Sequence, residues 1–247
     1  MYICNPNLPV GEVTAVAVSC EAEKAIKSLH LLGITTYILN NNPLLPRPVN
    51  SHPDLQLLHL CDNRILVSDE HLCVGELQKK FFISLIKDSL GDRYPEDVRL
   101  NCKIIGNKII LNKKTISREI LEFAELSGLD IINVKQGYTG CSICVINDSA
   151  IITDDISIFT AAQNFLIVLF ISKGSIRLKG YGYGFIGGCC GKLSPNKLAV
   201  NGRIESHTDK NLIIDFCNKH NVDIIELSDD SLTDVGGILP LLEKESI

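Results

Sequence analysis

The sequence has no run of basic residues: Lys and Arg are scattered, and Asp and Glu outnumber them to give a formal net charge of −5. A surface that neutralises nucleic-acid phosphates needs clustered Lys and Arg, so no nucleic-acid partner is expected. Acidity of this size permits a cationic ligand but selects none. Nor does any apolar stretch approach the length of a membrane span, since the most apolar one, FLIVLFI (165–171), is far too short. Residues 1–13 lack a basic region followed by an apolar run, so no secretory signal or membrane association is expected and a cytoplasmic location is. The ten cysteines are scattered singly apart from one adjacent pair. That is not the framework of a small secreted protein, and reduced, buried thiols acting as small hydrophobes are expected. No Pro, Ser or Gly-rich linker divides the chain. NNNPLLPRPVN (40–50) reads as a loop, so residues 1–247 are expected to form a single domain.

What the sequence does have is a phrase that recurs about every 40 to 50 residues, a period typical of stacked or radial repeats. Its copies are DNRILVSD (62–69), GNKIILN (106–112), NDSAIITD (147–154) and PNKLAVN (195–201). Each sets a polar turn before an apolar run, as in a hairpin entering its second strand. Helical spacing follows three of them. Ile116, Ile120, Leu121 and Ala124 share one face ahead of Gly128 and the strand DIINV (130–134). Leu212, Ile213, Phe216 and Cys217 precede VDIIEL (222–227), while Leu77, Phe81, Leu85 and Ile86 lead to Gly91 and DVRL (97–100). After the remaining copy comes a poorer helix around TAAQ, then FLIVLFI, expected as a strand apolar on both faces. TAVAVS (14–19), a helix over 21–32 closed by Gly33, and TTYIL (35–39) make a fifth unit without its leading strand. The unpaired segment DVGGILPLL (234–242) is expected to supply that strand and so close the ring.

Five ββαβ-like units resemble the pentein fold, the five-bladed α/β propeller of the guanidino-group modifying enzymes: arginine and agmatine deiminases, dimethylarginine hydrolase and the amidinotransferases. The motifs that carry the resemblance are HPDLQLLHLCD (52–62), similar to the family's His-x-Asp, and QGYTGCSICVI (136–146), similar to its Gly-rich segment ending in the nucleophilic cysteine. The resemblance implies catalysis by Cys141 as nucleophile and His52 as general acid and base. Asp54 and Gln136 would bind the substrate. It implies a small cationic guanidine or amidine as partner and no metal or organic cofactor. The family's nucleophile lies in its closing segment, which here, TDVGGILPLL, has no cysteine; a second carboxylate for the cation is not identifiable from the sequence.

The residue types suit that chemistry on their own terms. Attack on a guanidinium carbon needs a soft nucleophile, a proton donor for the departing amine and carboxylates for the planar cation. A thiolate, an imidazole and an aspartate meet those needs. If HPD opens a strand, His52 and Asp54 point to one face, whereas Cys141 and Cys144 on a strand point to opposite faces. Second choices are Cys189 and Cys190 in GYGYGFIGGCCGKL (180–193), whose glycines also suit close backbone packing, and His207 in SHTD (206–209), where Ser206 or Thr208 capping a helix is an ordinary alternative. A non-catalytic pentein, serving as a binding or ribosome-associated module, is the competing expectation.

Overall fold

The computed structural model describes residues 1–68 and 74–245. The chain opens with strand Val13–Ser19 (β1), helix Glu23–Leu31 (α1) and strand Thr35–Leu39 (β2). A one-turn helix, Pro53–Gln56 (α2), leads into Leu57–Cys61 (β3), Arg64–Val67 (β4), Val74–Gln78 (α3) and Phe82–Leu85 (β5). The third unit is Lys103–Ile105 (β6), Lys108–Leu111 (β7), Arg118–Leu126 (α4) and Asp130–Asn133 (β8), and the fourth is Ile143–Val145 (β9), Ala150–Thr153 (β10), Ile156–Ala162 (α5) and Ile167–Phe170 (β11). The fifth is Cys190–Ser194 (β12), Lys197–Val200 (β13), Lys210–Lys219 (α6) and Asp223–Glu226 (β14), and Leu239–Glu243 (β15) is the last element among the described residues.

These strands form five three-stranded sheets. In each, the middle strand pairs antiparallel with the first strand and parallel with the third, the helix making the parallel crossover. All four turn phrases become hairpins whose second strand is a middle strand; Asp69, the last residue of the first phrase, lies outside the described residues. The first sheet takes its leading strand from the far end of the chain, since β15 pairs antiparallel with β1, Val16 opposite Pro240 and Ala17 opposite Leu239.

The middle strands read as unbroken apolar runs because both of their faces are buried. Val16 and Val18 of β1 pack toward β12 and β13, while Ala15 and Ala17 pack toward β3 and β4. Ile65 and Val67 share that second cluster, and Leu66 turns the other way toward Ile109 and Leu111. Ile110 meets Ile143 and Ile151, and Ala150 and Ile152 meet Leu198 and Val200. Each sheet therefore packs on the next, and the fifth on the first. The helices cover this layer through Ala25 and Leu29, Ile120 and Ala124, and Ile213 and Cys217. No helix among the described residues is long and apolar enough to cross a membrane.

Three local expectations need correction. Leu77, Phe81, Leu85 and Ile86 do not share one helix: α3 ends at Gln78 and FISL forms β5, an outer strand half open to solvent that mimics helical spacing. DVRL is not a strand: Asp97 and Val98 lie in a 3-10 turn, Glu96–Val98, and Arg99 follows it. FLIVLFI is not buried on both faces, because β11 is the outermost strand of its sheet, with Ile167 and Phe170 exposed.

Candidate functional site

The segments that matter lie just ahead of the first strand of each sheet. His52 and Asp54 precede β3, Asn101 precedes β6, Cys141 precedes β9, Gly188 precedes β12, and Asp234 and Gly236 precede β15. One repeat position, used five times, thus brings distant residues together.

HPD does not open a strand. Pro53 sits at the first helical position, where its missing N–H costs nothing, and starts α2 with His52 as the flanking residue. His52 and Asp54 converge through this turn rather than by strand alternation. The closing segment locks them: the Asp54 N–H donates to the Gly236 carbonyl at 3.3 Å, and a methyl group at Gly236 would lie 2.4 Å from His52 Cβ. Gly236 also has φ +78°, so the segment can pass here only as glycine.

Cys141 lies in the turn before β9, so strand parity does not govern it. Its Sγ donates to Asp54 Oδ2 at 2.9 Å and accepts from Asn101 Nδ2 at 3.3 Å. Asn101 fixes the turn as well, its Oδ1 accepting from the N–H groups of Gly140 at 2.7 Å and Cys141 at 3.2 Å. Cys144, in contrast, is buried between the fourth and fifth sheets. A second carboxylate, Asp234, stands beside His52. Its Oδ1 stands 3.7 Å from His52 Nδ1 and accepts from the Gly236 N–H, while Oδ2 accepts from the Phe185 N–H.

His52, Cys141 and Asp234 open onto a cavity of about 230 Å³, walled by Val49, Tyr138, Leu178, Tyr181, Tyr183 and Phe185. Asp54 stands behind Cys141 and borders a second cavity of about 30 Å³ with His59 and Lys103. Burial pushes the Asp54 carboxyl up to about 6, against the opposing pull of His52. Burial and the Asp54 and Asp234 carboxylates push the Cys141 thiol well up. Among the described residues no group of three or more His, Cys, Asp or Glu side chains forms a metal set.

The other sequence candidates fall elsewhere. Gln136 does not line the cavity: its amide donates to Asp155 Oδ2 and its Oε1 accepts from the Tyr138 N–H, which shapes the turn leading to Cys141. Cys189 and Cys190 are buried with Cys144 and Cys217 in the core, although the aromatic residues of the same stretch wall the cavity. His207 is remote, its Nδ1 accepting from the Asp209 N–H ahead of α6. Neither Ser206 nor Thr208 caps that helix; their hydroxyls bond Arg203 and Ser175 instead. Asn101 and Asp234 were not singled out from sequence. For Asp234 a signal existed, since DVGGIL stands in its unit where HPDLQL stands before β3.

Residues 17–239 match the family described as Family of unknown function (DUF6873). The chain belongs to that family. No curated protein matches this DUF6873 member. In fold it is similar to an inosamine-phosphate amidinotransferase from Streptomyces griseus, with TM-score 0.62 and 11% identity over 100% of this chain and 99% of that one. It is also similar to an amidinotransferase of saxitoxin biosynthesis from Microseira wollei, with TM-score 0.58 and 10% identity over 98% of each chain. A cysteine-to-serine mutant of the DDAH from Pseudomonas aeruginosa, complexed with citrulline, matches with TM-score 0.53 and 9% identity over 87% of this chain and 92% of that one. The likeness is one of fold: a mixed α/β chain of five small sheets, in keeping with the pentein architecture.

Proposed function

We propose that the protein is a five-bladed α/β propeller enzyme that modifies a guanidine or amidine compound through a covalent intermediate on Cys141. One observation carries this reading: a thiol, an imidazole and a carboxylate from distant units line a single cavity, with a second carboxylate bonded to the thiol from behind, as a catalyst requires and a binding module does not. The fold shared with two amidinotransferases and a DDAH agrees with it.

The roles differ in one respect from those the motif implies. Asp54 Oδ2 accepts the thiol proton, so Asp54 acts as the base for Cys141, and Asp234, which borders the cavity, takes the cation. Before substrate enters, the raised thiol keeps its proton. A cation beside Asp234 lowers the thiol's pKa, and the proton passes to Asp54. The thiolate then forms a bond to the amidinium carbon, the carbon–nitrogen bond breaks, and the departing amine takes a proton from protonated His52. Water or an acceptor amine next attacks the S-linked amidinium carbon and gives a proton to His52; where water attacks, the oxygen's remaining proton passes to solvent as the neutral carbonyl product forms. The sulfur–carbon bond breaks, and the thiolate recovers its proton from Asp54.

The test is labelling with 2-chloroacetamidine followed by peptide mass spectrometry. The expected result is one adduct at Cys141, slowed at least tenfold by His52→Ala and by Asp54→Ala. Labelling spread over other cysteines, or absent from Cys141 in the folded protein, overturns the reading.

A further inference from the structure

The cavity's walls carry information that its reactive groups do not. Tyr138 stacks on Phe185 with ring centroids 6.1 Å apart at 25°, and Tyr183 meets the same ring edge-on at 6.0 Å and 81°. Val49 and Leu178 complete an apolar lining. The Tyr138 hydroxyl donates to the buried carboxylate of Asp97, which fixes the ring and puts another carboxylate behind the wall. Asp54 stands behind Cys141 in the same way.

Among the described lining residues, His52 is the single basic one, and it faces Asp234. Arg177 and Lys179 flank Leu178 in sequence, yet both side chains are exposed and neither lines the cavity. Lys173 is exposed and its ammonium lies 5.9 Å over the Tyr183 ring. A carboxylate or phosphate drawn into this space would be desolvated beside Asp234, and the one cation there to pair it, protonated His52, already faces that carboxylate. A guanidinium gains from the same surroundings, because aromatic faces and carboxylates both attract it. An apolar cavity of about 150 Å³ holds benzene, so one of about 230 Å³ suits roughly ten non-hydrogen atoms.

Resting on the enzyme reading above, we infer that the substrate carries its guanidinium or amidinium on a short apolar body, aromatic for preference, with no anionic group. Amino-acid guanidines and phosphorylated guanidines are excluded by the lining.

Calorimetric titration of the Cys141→Ser protein at neutral pH compares phenylguanidine, butylguanidine and 4-guanidinobenzoate, the last being phenylguanidine plus a carboxylate. Phenylguanidine is expected to bind at least tenfold more tightly than 4-guanidinobenzoate and more tightly than butylguanidine. Tyr183→Ala, a change on an exposed loop, is expected to weaken phenylguanidine at least fivefold with an unchanged thermal midpoint. If the serine variant fails to fold, the same ranking is read in the native protein as protection of Cys141 from 2-chloroacetamidine. Equal or tighter binding of 4-guanidinobenzoate overturns the inference while leaving the enzyme reading, which the labelling of Cys141 decides. Failure of all three to bind a protein whose Cys141 still labels overturns it as well.

Discussion

Asp54 is a carboxyl group with little water around it, and its position makes a thermodynamic prediction. Its Oδ2 is occupied by the Cys141 thiol, while Oδ1 has no hydrogen-bond partner among the described residues. Because the folded carboxyl holds its proton up to about 6 and the unfolded one only to its ordinary 3.8, the folded state binds more protons between those values. Stability therefore falls as pH rises through that window, by up to about 3 kcal/mol for this group. Asp154, raised to about 6 chiefly by its burial, adds a loss of the same sign. Urea denaturation of Asp54→Asn should show a shallower decline between pH 4 and 7 and greater stability than the native protein at pH 7. A decline as steep as the native one would mean that Asp54 is solvated. Asn101 makes a second residue-scale prediction. Asn101→Ala strands the buried N–H groups of Gly140 and Cys141, which should cost about 1–3 kcal/mol. It should also slow 2-chloroacetamidine labelling at Cys141 more than tenfold, because the thiol turn loses its anchor; labelling at the native rate would make Asn101 a bystander.

At the scale of elements, the sequence was most informative where chemistry is local. The four turn phrases, the helices ending before Gly33 and Gly128, and the strand after each are set by turn residues and periodicity within a few positions, and all of them form. The outer strands were harder: β5 and β11 are half exposed, so their burial pattern carries neither a clear period of two nor a helical one. HPD looked like the start of a strand because Pro53 is compatible with both states, and only the docking of Gly236 on His52 shows why the turn is chosen. Cys141, His52 and Asp54 could be picked out as candidates from their motifs, and the structure brings them together. Asp234 had only its place ahead of β15, matching that of His52 ahead of β3, and its meaning depends on His52, which lies about three quarters of the chain away. That dependence is testable at the turn before β12. A methyl group at Gly188 would sit 2.0 Å from Asp234 Oδ1. Gly188→Ala should therefore move Asp234 off His52 and lower the labelling of Cys141 at least tenfold, with the fold retained by far-UV circular dichroism. Unchanged labelling would show that Asp234 is not needed where it stands.

At the scale of the molecule, buried clusters among the described residues run from each sheet to the next. Clusters join the first sheet to the second, the second to the third and so on, and a further cluster joins the fifth to the first. The leading strand of the first sheet comes from residues 239–243, so the two ends of the chain are held by one pairing. Loss of any one cluster exposes two sheets at once, which favours a single cooperative transition over unit-by-unit fraying. Buried thiols report on separate clusters. Cys102 lies between the second and third sheets, and Cys217 lies between the fourth and fifth. As urea rises, both should become reactive to a thiol reagent at one midpoint, coincident with the loss of far-UV circular dichroism. Leu241→Ala empties a fully buried position of β15 and should cost about 2–5 kcal/mol. In a closed ring that loss must lower the midpoints of Cys102 and Cys217 together, although Leu241 is grouped with neither. In an open array it would spare Cys217, which sits farthest along the chain from the first unit's own strands, and a midpoint for Cys217 that ignores Leu241→Ala would refute closure.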